Sequence, residues 1–260
     1  MADNPSGGQP GGMRKLLRGL YALKEIGLVL LIVMFARTAL ADQFYVPSGS
    51  MEPTLAIGDR LVVPKFSYGY SRYSLPNIFG VPELLPAAST RLLGALPERG
   101  DVVVFQLPRD PKETYVKRVI GLPGDTVQMR AGRLWINGKQ LPLRPDGMGR
   151  LENEDGSLAD APRLSETLPN GREHPIFKVT WNGSLDNTEE FVVPPAHVFV
   201  MGDNRDNSLD SRVAMEDGGV GYVPVENLIG KANVIVASWD LGGALRSQGI
   251  RFSRFFSAIR

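Results

Sequence analysis

Apolar runs divide the chain into one helix-like segment near its start and a series of short strands after it. The first run extends from Ile26 to Ala36, is interrupted by Arg37 and continues from Thr38 to Ala41. Beyond it the apolar stretches are short, rich in Val and Ile and punctuated by Gly and Pro, the pattern of strands joined by turns. Strands are expected at 43–46, 61–64, 101–107, 114–120, 126–129, 177–181, 190–193, 198–201 and 232–238. Asn137-Gly138, between Leu134-Trp135-Ile136 and Lys139, is a two-residue hairpin signature. Residues 74–98 form a proline-punctuated loop with an apolar middle (Ile78, Phe79, Leu84, Leu85), which either packs on the core or faces a membrane or partner. Residues 144–172 are polar, acidic and rich in Gly and Pro, and read as an insert or loop.

The amino terminus has its own logic. Residues 1–13 are rich in Gly, Pro, Ser and Asn and read as disordered. Arg14, Lys15, Arg18 and Lys24 then precede the apolar run, which keeps that end in the cytoplasm and sends the rest of the chain outward. From Ile26 to Ala41 the run is shorter than the roughly 20 residues of a spanning helix. Two readings stand. One is an anchor lengthened by Leu20, Tyr21 and Leu23, with Arg37 snorkelling outward; the other is a signal peptide cleaved at Ala39-Leu40-Ala41. The far end, 241–260, carries Arg246, Arg251, Arg254 and Arg260, no acids and three phenylalanines, which suits either a membrane surface or a solvated tail.

Composition narrows the chemistry. There is no cysteine, which excludes thiol catalysis, cysteine-bound zinc and disulfides. The only histidines, His174 and His197, form no HExxH pair and read as ordinary surface residues. Asp203, Asp206 and Asp210 lack the spacing of a calcium loop, so no metal and no cofactor is expected. A net charge of +1 gives no reason to expect nucleic acid.

Three segments remain that carry chemistry without histidine. Pro47-Ser48-Gly49-Ser50 reads as a tight turn presenting a serine, and Gly49 permits unusual backbone angles there. A serine hydroxyl needs a base, and lysine serves only when neutral, which requires burial. On a strand, Tyr115, Lys117 and Val119 share one face, so Lys117 has apolar neighbours; the alternative is a surface lysine. Ser48 Oγ and the Ser50 N–H are candidate donors to an oxyanion. Gly202 to Arg212, dense in Asp, Asn, Ser and Arg, is either a turn network or a source of a lysine-orienting serine braced by Asp–Arg pairs.

Taken together, PSGSMEPTL (47–55), YVKRVIGLPGD (115–125) and GDNRDNSLDSR (202–212) resemble the bacterial type I signal peptidases, membrane-anchored serine proteases with a Ser/Lys dyad. Asp59-Arg60-Leu61-Val62-Val63 and Arg99 to Phe105 fall in the same order, and the resemblance covers roughly 42–240. It implies Ser50 as nucleophile, Lys117 as general base, Ser48 with Ser50 in the oxyanion hole, and Ser208 orienting Lys117. It makes Asp203, Asp210, Arg212 and Arg118 structural, with Asp203 pairing Arg118, and puts Phe44, Val46, Pro47 and Tyr115 against the substrate. It implies a mainly β fold: an antiparallel catalytic core (43–128 and 197–240) with an inserted β subdomain (129–196). Before these come a basic cytoplasmic tail (1–24) and one transmembrane helix (25–42), and after them the basic aromatic tail (241–260). The implied partners are the signal peptides of exported preproteins, cut after small-x-small motifs, and the lipid bilayer. The chain is expected as a single-pass monomer of the bacterial cytoplasmic membrane, its catalytic domain on the outer face.

One departure is visible: Val213 to Val220 intervene before Gly221-Tyr222-Val223-Pro224, a longer connection than the family's usual one. Two other classes compete. A self-cleaving repressor with the same chemistry would need a DNA-reading domain where the basic-apolar start stands. A membrane-anchored peptide-binding module would leave Ser50 and Lys117 incidental.

Overall fold

The structure, a computed structural model, describes residues 11–71, 73, 91, 93–152, 157–239 and 249–259. The first ten residues of the amino-terminal tail, most of the 74–98 loop and residues 240–248 of the carboxy-terminal tail lie outside the described residues.

The chain opens with helix α1 (Gly11–Leu40), whose described side chains from Tyr21 to Val33 are exposed. Among the described residues no helix is long and apolar enough to cross a membrane. The helix runs straight into the first sheet, made of β1 (Ala41–Tyr45), β2 (Asp59–Pro64), β15 (Val234–Ser238) and β16 (Ser257–Ala258), in that order. A five-stranded sheet packs against it, ordered β13 (Val223–Pro224), β12 (His197–Met201), β4 (Asp110–Gly121), β3 (Val102–Leu107) and β14 (Leu228–Lys231). Every strand pair in both sheets is antiparallel.

Strand β3 shows why these runs fold as they do. Val102 and Val104 enter one apolar cluster with Val46, Met51, Leu55, Leu61 and Val63. Val103, Phe105 and Leu107 enter another with Val119, Val198 and Val200. Side chains alternate across a strand, so an unbroken apolar run is buried on both faces.

A third sheet, β11 (Phe191–Val192), β5 (Thr126–Arg130), β6 (Arg133–Ile136) and β7 (Lys139–Gln140), shares an apolar cluster with Ile120, Phe199 and Met201 of the five-stranded sheet. Asn137 and Gly138 take positive φ (51° and 73°) in its hairpin turn, the conformation an Asn-Gly pair supplies. The expected boundary at 128/129 falls inside β5, because that strand pairs continuously with β6 through Arg130.

Three expectations are corrected. The polar stretch 144–172 is largely a long hairpin, β8 (Leu143–Glu152) with β9 (Leu158–Thr167), extended by β10 (Glu173–Phe177). Most β8 side chains are exposed or half-buried, so a polar sequence still satisfies its main chain by pairing. The strand expected at 177–181 stops at Phe177, because the Asp206 carboxylate takes the N–H groups of Val179 and Thr180 at 2.7 and 2.8 Å. Residues 249–259 are no free tail. Arg254 binds Asp59, which is fully buried, through Nε at 3.0 Å and Nη2 at 2.5 Å, and β16 pairs with β15.

Candidate active site

The cleft forms where β1 ends and β4 begins to be covered. After Tyr45 the chain leaves β1, and a short 3-10 turn, Gly49–Met51, carries Ser50 into the opening. Strand β4 delivers Lys117 opposite Val103 of β3. On its other side β12 accompanies β4 only as far as Met201, opposite Arg118. There the segment Gly202 to Arg212 leaves the sheet and fills the ground beside the lysine.

Lys117 Nζ lies 2.5 Å from Ser50 Oγ, and the lysine is 3% exposed. It is therefore no surface lysine. Burial is the main reason its ammonium is destabilised: it pulls the pKa from 10.5 to about 8, with Asp210 and Asp203 pulling back and Arg212 reinforcing. The Tyr115 ring centroid is 5.7 Å from Nζ. Ser48 Oγ is 3.4 Å from Ser50 Oγ and exposed to the cleft.

The third segment holds this geometry through buried ion pairs. Arg118 binds Asp203, whose Oδ2 also accepts Thr54 Oγ1 at 2.5 Å, so Asp203 ties the lysine strand to the loop after Ser50. Asp210 accepts the Gly202 N–H at 3.0 Å and both Nε and Nη2 of Arg212 at 2.8 Å. Despite burial, both carboxyls stay below the ordinary value, held there chiefly by their arginines. Ser208 Oγ is buried and has no hydrogen-bond partner; it rests against Gly202, where an added Cβ would sit 2.2 Å from it. No bond from it to Lys117 is present.

The cavity at the dyad measures about 430 Å³, and its walls include Phe44, Pro47, Tyr115, Val116, Thr114 and Leu209. Val46 is not among them. Its N–H is pinned to Asp59 O at 2.9 Å, which turns the side chain into the core at 1% exposure.

Several site residues went unrecognised in the sequence. Asn204 donates its N–H to Ser50 O at 3.1 Å and its Nδ2 to Gly49 O at 3.2 Å. His174 is no surface residue: at 2% exposure it lies 3.5 Å from Glu166, which grips Arg205 of the third segment with both oxygens. Burial is the first cause that lowers its pKa to about 4. Hydrophobic periodicity gives no signal for such residues; the density of Asp, Asn and Arg from 202 to 212 was the available clue. Among the described residues no cluster of three or more metal-ligating side chains occurs.

Residues 20–239 match the family model described as signal peptidase, peptidase S26. The signal peptidase I of Rickettsia akari (strain Hartford) is 38% identical, over 89% of this chain and 86% of that protein. That of Rickettsia felis (strain ATCC VR-1525 / URRWXCal2) is 40% identical, over 82% and 79%. A crystal structure of a signal peptidase I from Enterococcus faecalis V583 aligns at 28% identity over 53% of this chain and 97% of its own, with a TM-score of 0.32, too low to bear on the fold. With the family model spanning most of the chain, this protein belongs to the peptidase S26 signal peptidases, in the signal peptidase I group.

Proposed function

We propose that the chain cleaves signal peptides from exported preproteins after small-x-small motifs, with Ser50 as nucleophile and Lys117 as general base. The observation that carries this is the 2.5 Å approach of a buried lysine, its pKa lowered to about 8, to an accessible serine. Neutral Lys117 takes the Ser50 proton as Oγ attacks the scissile carbonyl. The oxyanion is received by the Ser50 N–H and the Ser48 hydroxyl. Lys117 then gives its proton to the departing amine, the new amino terminus of the mature protein. The ester left on Ser50 is hydrolysed by a water that Lys117 deprotonates. The free signal peptide leaves with its carboxylate, and the serine recovers its proton.

Specificity comes from the apolar walls near Phe44, Tyr115 and Val116, which leave room for small side chains before the cut and reject large ones by clash. The substrate lies as an extended strand between residues 44–48 and β4. Membrane attachment through α1 is part of the same reading, supported by the basic residues ahead of its apolar run and by its exposed Leu28 to Val33 face. The catalytic domain then stands on the outer face of the cytoplasmic membrane.

The test is cleavage of a preprotein ending its signal in Ala-x-Ala, by the full chain in detergent beside Ser50→Ala and Lys117→Ala. Cleavage at that boundary by the unaltered chain alone supports the dyad. Equal cleavage by either variant overturns it.

A further inference from the structure

Glu52 comes two residues after the nucleophile, and the dyad mechanism gives it no task. Its side chain is 5% exposed, unusual for a glutamate in a turn. It folds back beneath the turn: a Cβ added at Gly49 would lie 3.1 Å from Glu52 Oε2. The same oxygen accepts the main-chain N–H of Glu152, at the end of β8, at 3.1 Å. The Glu52 N–H meanwhile closes the turn onto Gly49 O at 3.0 Å. The turn that presents Ser50 is thus held from two sides, by Asn204 of the third segment and by Glu52, whose far anchor is the long hairpin.

We propose that Glu52 is a positioning residue: its carboxyl, seated beneath Gly49 and bonded to the Glu152 main chain, sets the nucleophile turn against the β8–β9 hairpin. This rests on Ser50 being the nucleophile. The charged groups facing it are the Glu152 carboxylate on β8 and Arg251 and Arg254 of the carboxy-terminal segment. Burial dominates and raises the Glu52 pKa from 4.5 to about 7; Glu152's carboxylate adds to the rise, while the Glu152 N–H and the two arginines oppose it. The folded chain therefore keeps this proton up to about pH 7, whereas the unfolded chain releases it near 4.5. Stability is full below 4.5, falls as pH rises between those values and stays reduced above them.

The experiment compares E52Q and E52A with the unaltered full chain in detergent, by preprotein turnover and by thermal unfolding at about pH 5 and about pH 8.5. E52Q keeps the acceptor and the shape but never ionises. It is expected to raise Tm by more at the higher pH than at the lower. E52A removes the carboxyl that seats the turn and accepts the Glu152 N–H; kcat is expected to fall about tenfold with KM within about twofold, and E52Q to recover most of the loss. An unchanged kcat in E52A overturns the proposal. So does a Tm difference for E52Q that is the same at both pH values, a reading that stands even if E52A fails to fold. The thermal arm does not involve acylation, so a failure of the Ser50 mechanism would appear separately, as retained cleavage by Ser50→Ala.

Discussion

Arg118 grips Asp203 with two parallel bonds, Nε to Oδ1 at 2.8 Å and Nη2 to Oδ2 at 2.7 Å, one residue along the strand from Lys117. Successive side chains of a strand point to opposite faces, so β4 delivers Lys117 to the cleft and Arg118 to the back. Both partners are 1% exposed. Arg118→Met should leave Asp203 buried without its cation and cost about 3–5 kcal/mol, read by urea unfolding in detergent. A loss under about 1 kcal/mol, the value of an exposed pair, would contradict this.

Gly202 is where the third segment passes Ser50. A Cβ there would meet Ser208 Oγ at 2.2 Å and the Ser50 carbonyl oxygen at 2.5 Å. Gly202→Ala should therefore displace the Ser50 turn and lower kcat about a hundredfold, since small misplacements of reacting groups cost that much. Ser208→Ala in the same chain should not restore it, because the Ser50 carbonyl oxygen and the Ser208 Cβ, each 2.5 Å away, both remain. Recovery in the double variant would show that only the Ser208 hydroxyl contact matters.

The segment 249–259 braces the loop after Ser50. Arg254 reaches Thr54 O at 3.0 Å as well as Asp59, which retains Ser238 Oγ at 2.6 Å as a second partner. Arg254→Ala should destabilise the chain by about 2 kcal/mol, a charged hydrogen bond removed from a buried carboxylate that keeps other partners. A variant ending after residue 248 should lose more, together with activity. An unchanged Tm in both would return this segment to a solvated tail.

How much of the fold and site is legible in the sequence depends on range. The strands with unbroken Val and Ile, such as 102–107, and the Asn137-Gly138 turn can be read because their signals are local. Ser50 and Lys117 stand out through the motifs that carry the family resemblance, while the alternation around Tyr115 and Val119 only allows a buried lysine. The hairpin 143–167 cannot, since many of its side chains are polar and pairing across its own turn, rather than an apolar pattern, makes each half a strand. His174 escapes notice because its burial comes from Glu166, Asp203 and Arg205, which the fold gathers from separate segments. Val46 reads as a cleft residue, but the bond of its N–H to Asp59 turns it inward.

Burying Lys117 costs stability. Its folded pKa, about 8, lies below its ordinary 10.5, so the penalty for burying its charge is full below pH 8 and fades as pH rises to 10.5. Lys117→Met should abolish cleavage while gaining about 1–3 kcal/mol at neutral pH, with the gain shrinking as the pH rises. Thermal unfolding across that range checks the sign; a gain independent of pH would contradict it.

The most direct test of the dyad is the pH dependence of kcat/KM for preprotein cleavage. The free lysine must be neutral, so kcat/KM should rise tenfold per pH unit on the acid side and level off through an ionisation near 8. A profile that levels off near pH 6 to 7, or one that keeps its shape and height in Lys117→Ala, would mean that another group is the base.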